Sequence, residues 1–258
     1  MLLYYGLGYG YGGYGYGYGY GGYGYGSGLY GLTWSWTYLL IIAGVIICMV
    51  ASARMRNTFN KYAKVRSMSG MTGAQAAEKI LKSQGINDVK ITHVSGSLTD
   101  HYNPTNRTLA LSDSSFQSTS VAAVGVAAHE CGHAIQHHKH YVPLRIRGSL
   151  VPVTRVTSVL AWPLIIFGMF LTGTNSLLMD IGIILFSFSV VFQLVTLPVE
   201  FNASHRAMKV LESTQILQSQ ELVYTRKVLT AAAMTYVASA AAIILQLLRV
   251  LLIAGRRR

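Results

Sequence analysis

Four apolar segments, each close to the length that crosses a lipid bilayer, constrain the fold of this chain more than any other feature. A helix needs about 20 predominantly apolar residues to cross the hydrocarbon core. The segments cover residues 34–53, 150–172, 177–197 and 229–248. Of the whole chain, 52% is hydrophobic and only 12% is charged, which fits a membrane protein with a modest soluble part. We therefore predict a mainly α-helical integral membrane protein.

The fourth segment is the one whose crossing stays open. It is rich in alanine, which suits close helix packing inside a protein as well as in a bilayer. Arg249 follows it, and residues 256–258 are all arginine. Either this helix crosses the membrane, or it is buried, or its end lies along the interface with its arginines towards anionic lipid.

The second and third segments are joined by a short polar turn and predict a helical hairpin.

A Gly-Tyr repeat occupies the N-terminal region from Tyr4 to Gly31 and contains no charged residue. Its glycines lose much backbone entropy on folding, and it has too few aliphatic side chains to form a core. We expect residues 1–33 to be disordered and residues 34–258 to form one membrane-embedded domain. The first span would serve as an uncleaved signal anchor.

The stretch between the first two spans contains a metal-binding pattern, His129-Glu130-Cys131-Gly132-His133. Residues four apart share one face of a helix, so His129 and His133 can present ring nitrogens to one tetrahedral Zn²⁺. Glu130 would then take a proton from a water that the zinc activates. One of residues 118–120 could cap this helix. Without a metal, the histidines would be hydrogen-bonded core residues beside a costly buried carboxylate.

A zinc hydrolase needs a third protein ligand. Lys139 stands where a metzincin would have its third histidine, so that class is excluded. His137, His138 and His140 follow closely, but three ligands along one helix span too far for a single ion. We interpret these histidines as surface residues or as supports for the ligands. Glu200, at the end of the third apolar segment, is the better candidate, although a carboxylate just after a proline could equally be a helix N-terminal acid.

Three motifs together resemble the YugP-type membrane zinc metallopeptidases. They are LTDHYNP at residues 98–104, a helix at 121–137 that ends in AHECGHAIQH, and LPVEFNAS at 197–204. The resemblance extends from about Tyr38 to Arg257, and this family looks like a distant relative of the HtpX-type and CaaX-processing membrane proteases. It implies a gluzincin-like, HtpX-like site in which Glu200 is the third ligand of one zinc ion.

The sequence departs from the pattern of those distant relatives at Ser204, where they have an aspartate four residues after the ligand glutamate. Ser204 or His205 could instead hydrogen-bond a ligand or stabilise the oxyanion. His101 lies in the first motif between Asp100 and Tyr102. These three residues either approach the metal or belong to a satisfied turn.

The soluble stretch also contains one amphipathic helix and two strands. The helix is capped by Thr72 and ends near Gly85. Residues 89–94 and 108–112 alternate apolar and polar side chains, and Asn103-Pro104-Thr105-Asn106 indicates a turn before the second run. We predict a small β-hairpin, to whose exposed edge an extended substrate could add as a further strand.

Basic residues near the helix ends predict the orientation in the membrane. The stretch that contains the HExxH motif lies between the first two spans. The basic residues at its two ends are Arg54, Arg56, Lys61, Lys64, Arg66, Arg145 and Arg147. They place that stretch in the cytoplasm, and Glu200 emerges from the third span on the same side. They also account for much of the net charge of +12, and no nucleic-acid motif competes.

The sequence therefore predicts a multi-pass cell-membrane metalloendopeptidase whose Zn²⁺ is held by His129, His133 and Glu200, with Glu130 as the catalytic base. Its partners would be polypeptide substrates and the lipid bilayer, without nucleic acid; a homo-oligomer or an adaptor stays open. The alternative is a noncatalytic membrane protein with a structural zinc site or a scaffold role. Structural zinc sites usually have four protein ligands, which favours catalysis.

Overall fold

The computed structural model describes residues 27–170 and 176–255, so residues 1–26 of the segment 1–33 predicted to be disordered lie outside the described part of the chain, whereas residues 27–33 belong to the first helix. Four long helices dominate it, and each contains a stretch long and apolar enough to cross a membrane. They are α1 (Ser27–Tyr62), α4 (Val142–Phe170), α5 (Ser176–Ser213) and α6 (Ser219–Gly255). The mainly helical fold is confirmed, and the fourth segment is a candidate span like the other three.

The third long helix does not end at residue 197, where the predicted span ends. Pro198 lies inside α5, which continues to Ser213. A proline removes one backbone hydrogen bond, but a helix that is held by packed neighbours tolerates this loss. Because α5 is continuous, Glu200 is an interior helix residue and not the N-terminal acid of a new helix.

Small residues bring the long helices into close contact. A Cβ atom at Gly168 of α4 would lie 2.6 Å from the backbone nitrogen of Met179 of α5, and one at Gly182 would lie 2.9 Å from the backbone nitrogen of Ile165. On the other side of the bundle, Gly44 of α1 faces Ala242 of α6. The sequence prediction of an α4–α5 hairpin is confirmed.

The C-terminal half of α6 packs against the beginning of α5. Val250 is buried in one cluster with Met179, and the guanidinium of Arg249 lies 4.6 Å from the ring centroid of Tyr38 near the start of α1. Glu200 is near the other end of α5. The end of α6 is therefore packed at the opposite end of the bundle from Glu200.

A small soluble region sits at the end of the bundle that carries Glu200. Its helices are α2 (Gly73–Ser83) and α3 (Val121–His138). Thr72 caps α2 in a capping box with Gln75, and Ser120 caps α3 by accepting a hydrogen bond from the backbone nitrogen of Ala123. The predicted apolar stripe of α2 is buried against α3.

The sheet differs from the predicted hairpin. It contains β1 (Lys90–Val94), β2 (His101–Asn103) and β3 (Thr108–Ser112) in the order β1-β3-β2. The two strands expected from the sequence, β1 and β3, are parallel neighbours, and the antiparallel hairpin joins β2 to β3. β2 has only three residues, too few for alternation to reveal it.

Candidate metal centre

Helix α3 presents two imidazoles on one face. His129 and His133 are one turn apart, their ring centroids are 4.8 Å from each other, and their side chains are only 15% and 11% exposed. The helix runs through the core of the soluble region, and most of its residues from Val121 to Gln136 are buried. The predicted HExxH helix is therefore present and holds both rings in a restricted position.

Helix α5 brings Glu200 to the same point. Its Oε2 lies 3.3 Å from His129 Nε2 and 3.6 Å from His133 Nε2, and its side chain is 2% exposed. One ligand atom from each of the three residues lies within 4.8 Å of the others, a separation that suits binding to a single metal ion. The sequence-predicted ligands come together although 67 positions, 200 − 133, separate the last histidine from the glutamate.

Gly132 permits this meeting of α3 and α5. A Cβ atom at this position would lie 2.4 Å from the carbonyl oxygen of Ala203, far inside van der Waals contact. Because Gly132 precedes His133 and Ala203 follows Glu200 by less than one turn, the closest approach of the two helices falls beside the ligand cluster. A side chain at Gly132 would push the ligands apart.

Each imidazole has a protein partner on its second nitrogen. Ser204 Oγ lies 3.1 Å from His129 Nδ1, in the role suggested for it from the sequence. Gln136 Oε1 lies 3.1 Å from His133 Nδ1. The Gln136 amide nitrogen donates to the Val199 carbonyl and to Asn202 Oδ1, which fixes its oxygen towards the histidine. In the neutral ring this arrangement puts the proton on Nδ1 and leaves Nε2, which faces Glu200 Oε2, as the nitrogen that can bind a metal.

Arg147 of α4 holds the remaining oxygen of Glu200. Its Nη1 donates to Glu200 Oε1 at 3.1 Å, while Oε2 faces the histidines. A buried carboxylate is costly without such compensation. Sequence reasoning counted Arg147 only among the juxtamembrane cations, because the hairpin predicted for α4 and α5 does not show which residues of the two helices meet.

A cavity of about 530 Å³ opens onto the cluster. Glu130, His133 and Glu200 lie in its wall together with Tyr236 of α6, which sequence reasoning missed. The rest of the wall comes from β2 with its flanks, the end of α3 and one face of α4; these residues are Asp100, His101, Tyr102, Pro104, Gln136, His137, His140, Tyr141, Leu144, Arg145, Arg147, Gly148 and Val151.

The other sequence candidates are distributed around this cavity. His101 is in the wall, but its Nδ1 is hydrogen-bonded to the Thr99 carbonyl, and it is outside the ligand cluster. His205 is exposed and is not among the residues of the wall. Asp100 accepts two hydrogen bonds from Ser112, one from its backbone and one from its hydroxyl, as expected of a satisfied turn.

The histidines that follow the motif are not part of the ligand cluster. His137 Nδ1 lies 2.8 Å from the hydroxyl of Tyr102, so this ring ties α3 to β2. His140 lies in the cavity wall, and His138 is exposed. The interpretation of these residues as surface or supporting histidines agrees with their positions.

Electrostatics favours cation binding at His133. Burial disfavours its charged form, but the hydrogen bond with Glu200 and the negative charges of Glu130 and Glu200 outweigh this effect and raise the pKa of the imidazole. Two carboxylates thus converge on one buried position, which attracts either a proton or a metal ion.

Comparisons with known proteins agree with this chemistry. The family model described as "Putative neutral zinc metallopeptidase" matches residues 37–255, a range that includes the ligand cluster and most of the four long helices. The "Putative membrane protease YugP" of Bacillus subtilis (strain 168) is 44% identical over 214 residues, which cover 83% of this chain and 94% of that protein. No solved structure matches this chain significantly.

Proposed function

This chain belongs to the family described as "Putative neutral zinc metallopeptidase", and we propose that it is a membrane zinc endopeptidase acting on polypeptides at or in the membrane. The observation that carries the proposal is the convergence of His129, His133 and Glu200 beside an open cavity that also contains Glu130.

The three residues fit a single zinc ion by their chemistry. Two imidazole nitrogens and one carboxylate oxygen are the ligand set of many catalytic zinc sites, and three protein ligands leave one position for water or substrate. Ser204, Gln136 and Arg147 hold the other heteroatoms of the ligands, as second partners do in known metal sites. When bound, zinc would polarise the substrate carbonyl and lower the pKa of a water to about 7.

Glu130 is the general base of the proposed reaction. It is 8% exposed and reaches the cavity from the helix that carries both histidines. Its carboxylate takes a proton from the attacking water as the new C–O bond forms at the peptide carbonyl. It then delivers that proton to the amide nitrogen, which leaves as an amine when the C–N bond breaks.

Tyr236 is our candidate for the group that stabilises the oxyanion. The phenol lies near the carboxylates of Glu130 and Glu200 and next to Arg147 in the cavity wall. A hydroxyl donor at a developing oxyanion lowers the barrier by several kcal/mol in enzymes of known mechanism, about 2.7–4 kcal/mol for one donor. Tyr236 lies in the cavity wall, whereas the earlier candidates Ser204 and His205 do not.

The edge strand β2 is the proposed guide for the substrate backbone. It ends the strand order β1-β3-β2, and two of its residues, His101 and Tyr102, are in the cavity wall. An extended peptide added to this edge would pass beside the ligand cluster, with backbone hydrogen bonds that do not depend on its sequence. The site would face the cytoplasm, because the basic residues of the soluble region favour that side.

The noncatalytic alternative is a structural zinc site. Such sites are usually closed by four protein ligands. The described ligand cluster contains three, and a cavity with a carboxylate lies next to it. These features favour the peptidase.

The test measures zinc content and casein hydrolysis of the purified full-length protein. Wild type should contain one zinc per chain and hydrolyse casein. Glu130→Gln should keep zinc but lose at least about 99% of activity, since a general base contributes about 10²–10⁴-fold. Glu200→Gln should lose zinc, whereas Glu212→Gln, an exposed glutamate on the same helix, should behave as wild type.

Two results would contradict the proposal. One is a Glu130→Gln variant with full hydrolysis, and the other is a wild type that binds zinc but cleaves no polypeptide under any condition in which it stays folded. The second result would favour a structural zinc.

A further inference from the structure

We propose that the substrates are polypeptides anchored in the bilayer by an apolar segment of their own and cut close to the point where they leave the hydrocarbon core. They would reach the site from the membrane side, along the face of α4 that carries Leu144, Gly148 and Val151. This inference rests on the proposed peptidase function and adds its substrate class and entry route.

The depth of the ligand cluster is the first argument. Helix α5 exposes large apolar side chains from Leu177 to Leu194, and Phe201, next to Glu200, is exposed as well at 47%. At 1.5 Å per residue the distance from Leu177 to Phe201 is roughly 36 Å, somewhat more than the thickness of a bilayer core of about 30 Å. Glu200 therefore lies at the end of the apolar surface, where the hydrocarbon core meets the lipid headgroups.

Helix α4 gives the same position independently. Its exposed large apolar side chains begin with Val142 and Ile146, which lie beside Arg145 and Arg147 as expected for the headgroup region. From Val151 to Phe170 the exposed apolar side chains cover roughly 29 Å by the same helical rise. Val151, the first of them after Arg147, is 48% exposed and also lies in the cavity wall. The cavity therefore reaches from the ligand cluster to the edge of the hydrocarbon core.

The helix arrangement leaves this edge open. α4 and α6 both pack along α5, but their backbones hardly approach each other in the described part of the chain, and their side chains share a buried cluster only at the end away from the site. Residues of both helices nevertheless belong to the cavity wall, Tyr236 on α6 and the Leu144-Gly148-Val151 face on α4. A gap between two spanning helices, with Glu200 of α5 at its base, offers a lateral opening towards lipid.

The chemistry of the α4 face fits an apolar occupant. Residues 144, 148 and 151 follow the three- and four-residue spacing of one helix face, and all three are apolar. A Cβ atom at Gly148 would meet no atom within 4 Å, so the space beside it is open to a substrate chain. A soluble substrate that entered only from the aqueous side, past β2, would gain little from such a surface.

The experiment uses the full-length protein in lipid nanodiscs and three substrates that share one casein sequence. In the first, the sequence directly follows a single membrane-spanning segment; in the second, a flexible linker of about 30 Gly/Ser residues separates them; the third has no anchor. A linker of that length gives a root-mean-square reach of about 30 Å, enough to leave the headgroup region. Cleavage is quantified and mapped by mass spectrometry.

The directly anchored substrate should be cut at least about tenfold faster than the other two, because a substrate held in position spares the entropy of binding. Its cleavage points should cluster within about ten residues of the span. Equal rates for all three substrates would overturn the inference while leaving the peptidase function intact. Loss of every cleavage, or cleavage that persists in Glu130→Gln, would instead contradict the proposed function.

A pair of variants tests the route itself. Gly148→Leu fills the open space in the α4 face and should reduce the rate ratio of anchored to unanchored substrate at least about tenfold, as expected for a misplaced substrate. Ser149→Leu adds a similar side chain at the next residue, which is exposed and outside the cavity wall, and should leave the ratio unchanged. An unchanged ratio in Gly148→Leu would show that substrates do not use this path.

Discussion

Uncharged side chains hold the two histidines of the proposed zinc site. Distant relatives were expected to use an aspartate where this chain has Ser204, yet the hydroxyl still reaches His129 Nδ1 at 3.1 Å. Gln136 serves His133 in the same way, and its own amide is fixed by two further hydrogen bonds. The only cationic partner, among the contacts described here, is Arg147 on the ligand carboxylate. Orientation of the ligands thus depends on a polar network rather than on additional carboxylates.

Gln136→Ala should therefore weaken zinc binding without abolishing it. The variant removes the acceptor of His133 Nδ1 and leaves the ring free to rotate, and loss of such a partner typically costs about 10–100-fold in metal affinity. Competition with a calibrated zinc chelator measures the effect. Gln220→Ala, at an exposed position on α6, is the control and should keep the affinity of wild type. Equal affinities for the two variants would contradict the positioning role of Gln136.

Only some residues of the proposed site could be predicted from the sequence. His129, Glu130 and His133 are visible from spacing alone, and Glu200 and Ser204 from the resemblance. Gln136 appeared only as part of the family motif and was given no role. Arg147 and Tyr236 were missed because each enters the site through a contact with a residue far away in the sequence. The hairpin predicted for α4 and α5 does not show which of their residues meet, and no local pattern encodes such a contact.

Helices α3 and α5 depend on one close approach for the site to form. Gly132 faces the backbone of Ala203, and a Cβ atom there would be 2.4 Å from a carbonyl oxygen that cannot move without bending α5. At Gly125, by contrast, the atom nearest to an added Cβ belongs to the side chain of Thr225, which can rotate. The packing of α3 against α5 thus requires a glycine at position 132, directly before the ligand His133.

Gly132→Ala should lower both stability and zinc content. Overpacking of this kind costs about 1–3 kcal/mol. We expect a lower apparent Tm in detergent together with less than one bound zinc per chain. Gly148→Ala, where an added Cβ meets nothing within 4 Å, is the matched control and should change neither quantity. A Gly132→Ala variant that retains wild-type Tm and full zinc would contradict the proposed role of this contact.

The sheet shows where element prediction fails. Both long strands were located correctly, but their pairing was not, because β1 and β3 are parallel and the intervening chain folds back as β2. Asn103-Pro104-Thr105-Asn106 does introduce a turn, although it connects β3 to the three-residue β2 rather than to β1. A strand of this length carries no periodic signal, and Tyr102 is held there by a tertiary contact with His137.

The bundle as a whole places the proposed active site and the C-terminal end of α6 at opposite ends. α6 starts beside the soluble region, where Leu229 joins the core of α3, and it ends beside the first turns of α5. The four apolar segments predicted the number of candidate spans from length and composition alone. They could not decide whether the fourth crosses, because an alanine-rich helix suits a protein interior and a bilayer equally well.

Accessibility of introduced cysteines should therefore differ between the two ends. A cysteine at exposed Lys139, next to the site, should react with a membrane-impermeant maleimide only after the cells are permeabilised, if the site faces the cytoplasm. A cysteine at exposed Gly255 should react with intact cells. Wild type, with buried Cys131 and partly buried Cys48, gives the background. Labelling of both positions from the same side would contradict a crossing α6.

X-ray absorption at the zinc edge of the purified wild-type protein tests the central claim most directly. A site made of His129, His133 and Glu200 predicts two imidazole nitrogens and oxygen ligands at about 2.0–2.2 Å, with no sulfur. A sulfur scatterer at about 2.3 Å would assign Cys131 to the metal, and a third imidazole would assign one of the histidines after His133. Either of these results would contradict the ligand set on which the proposed peptidase mechanism depends.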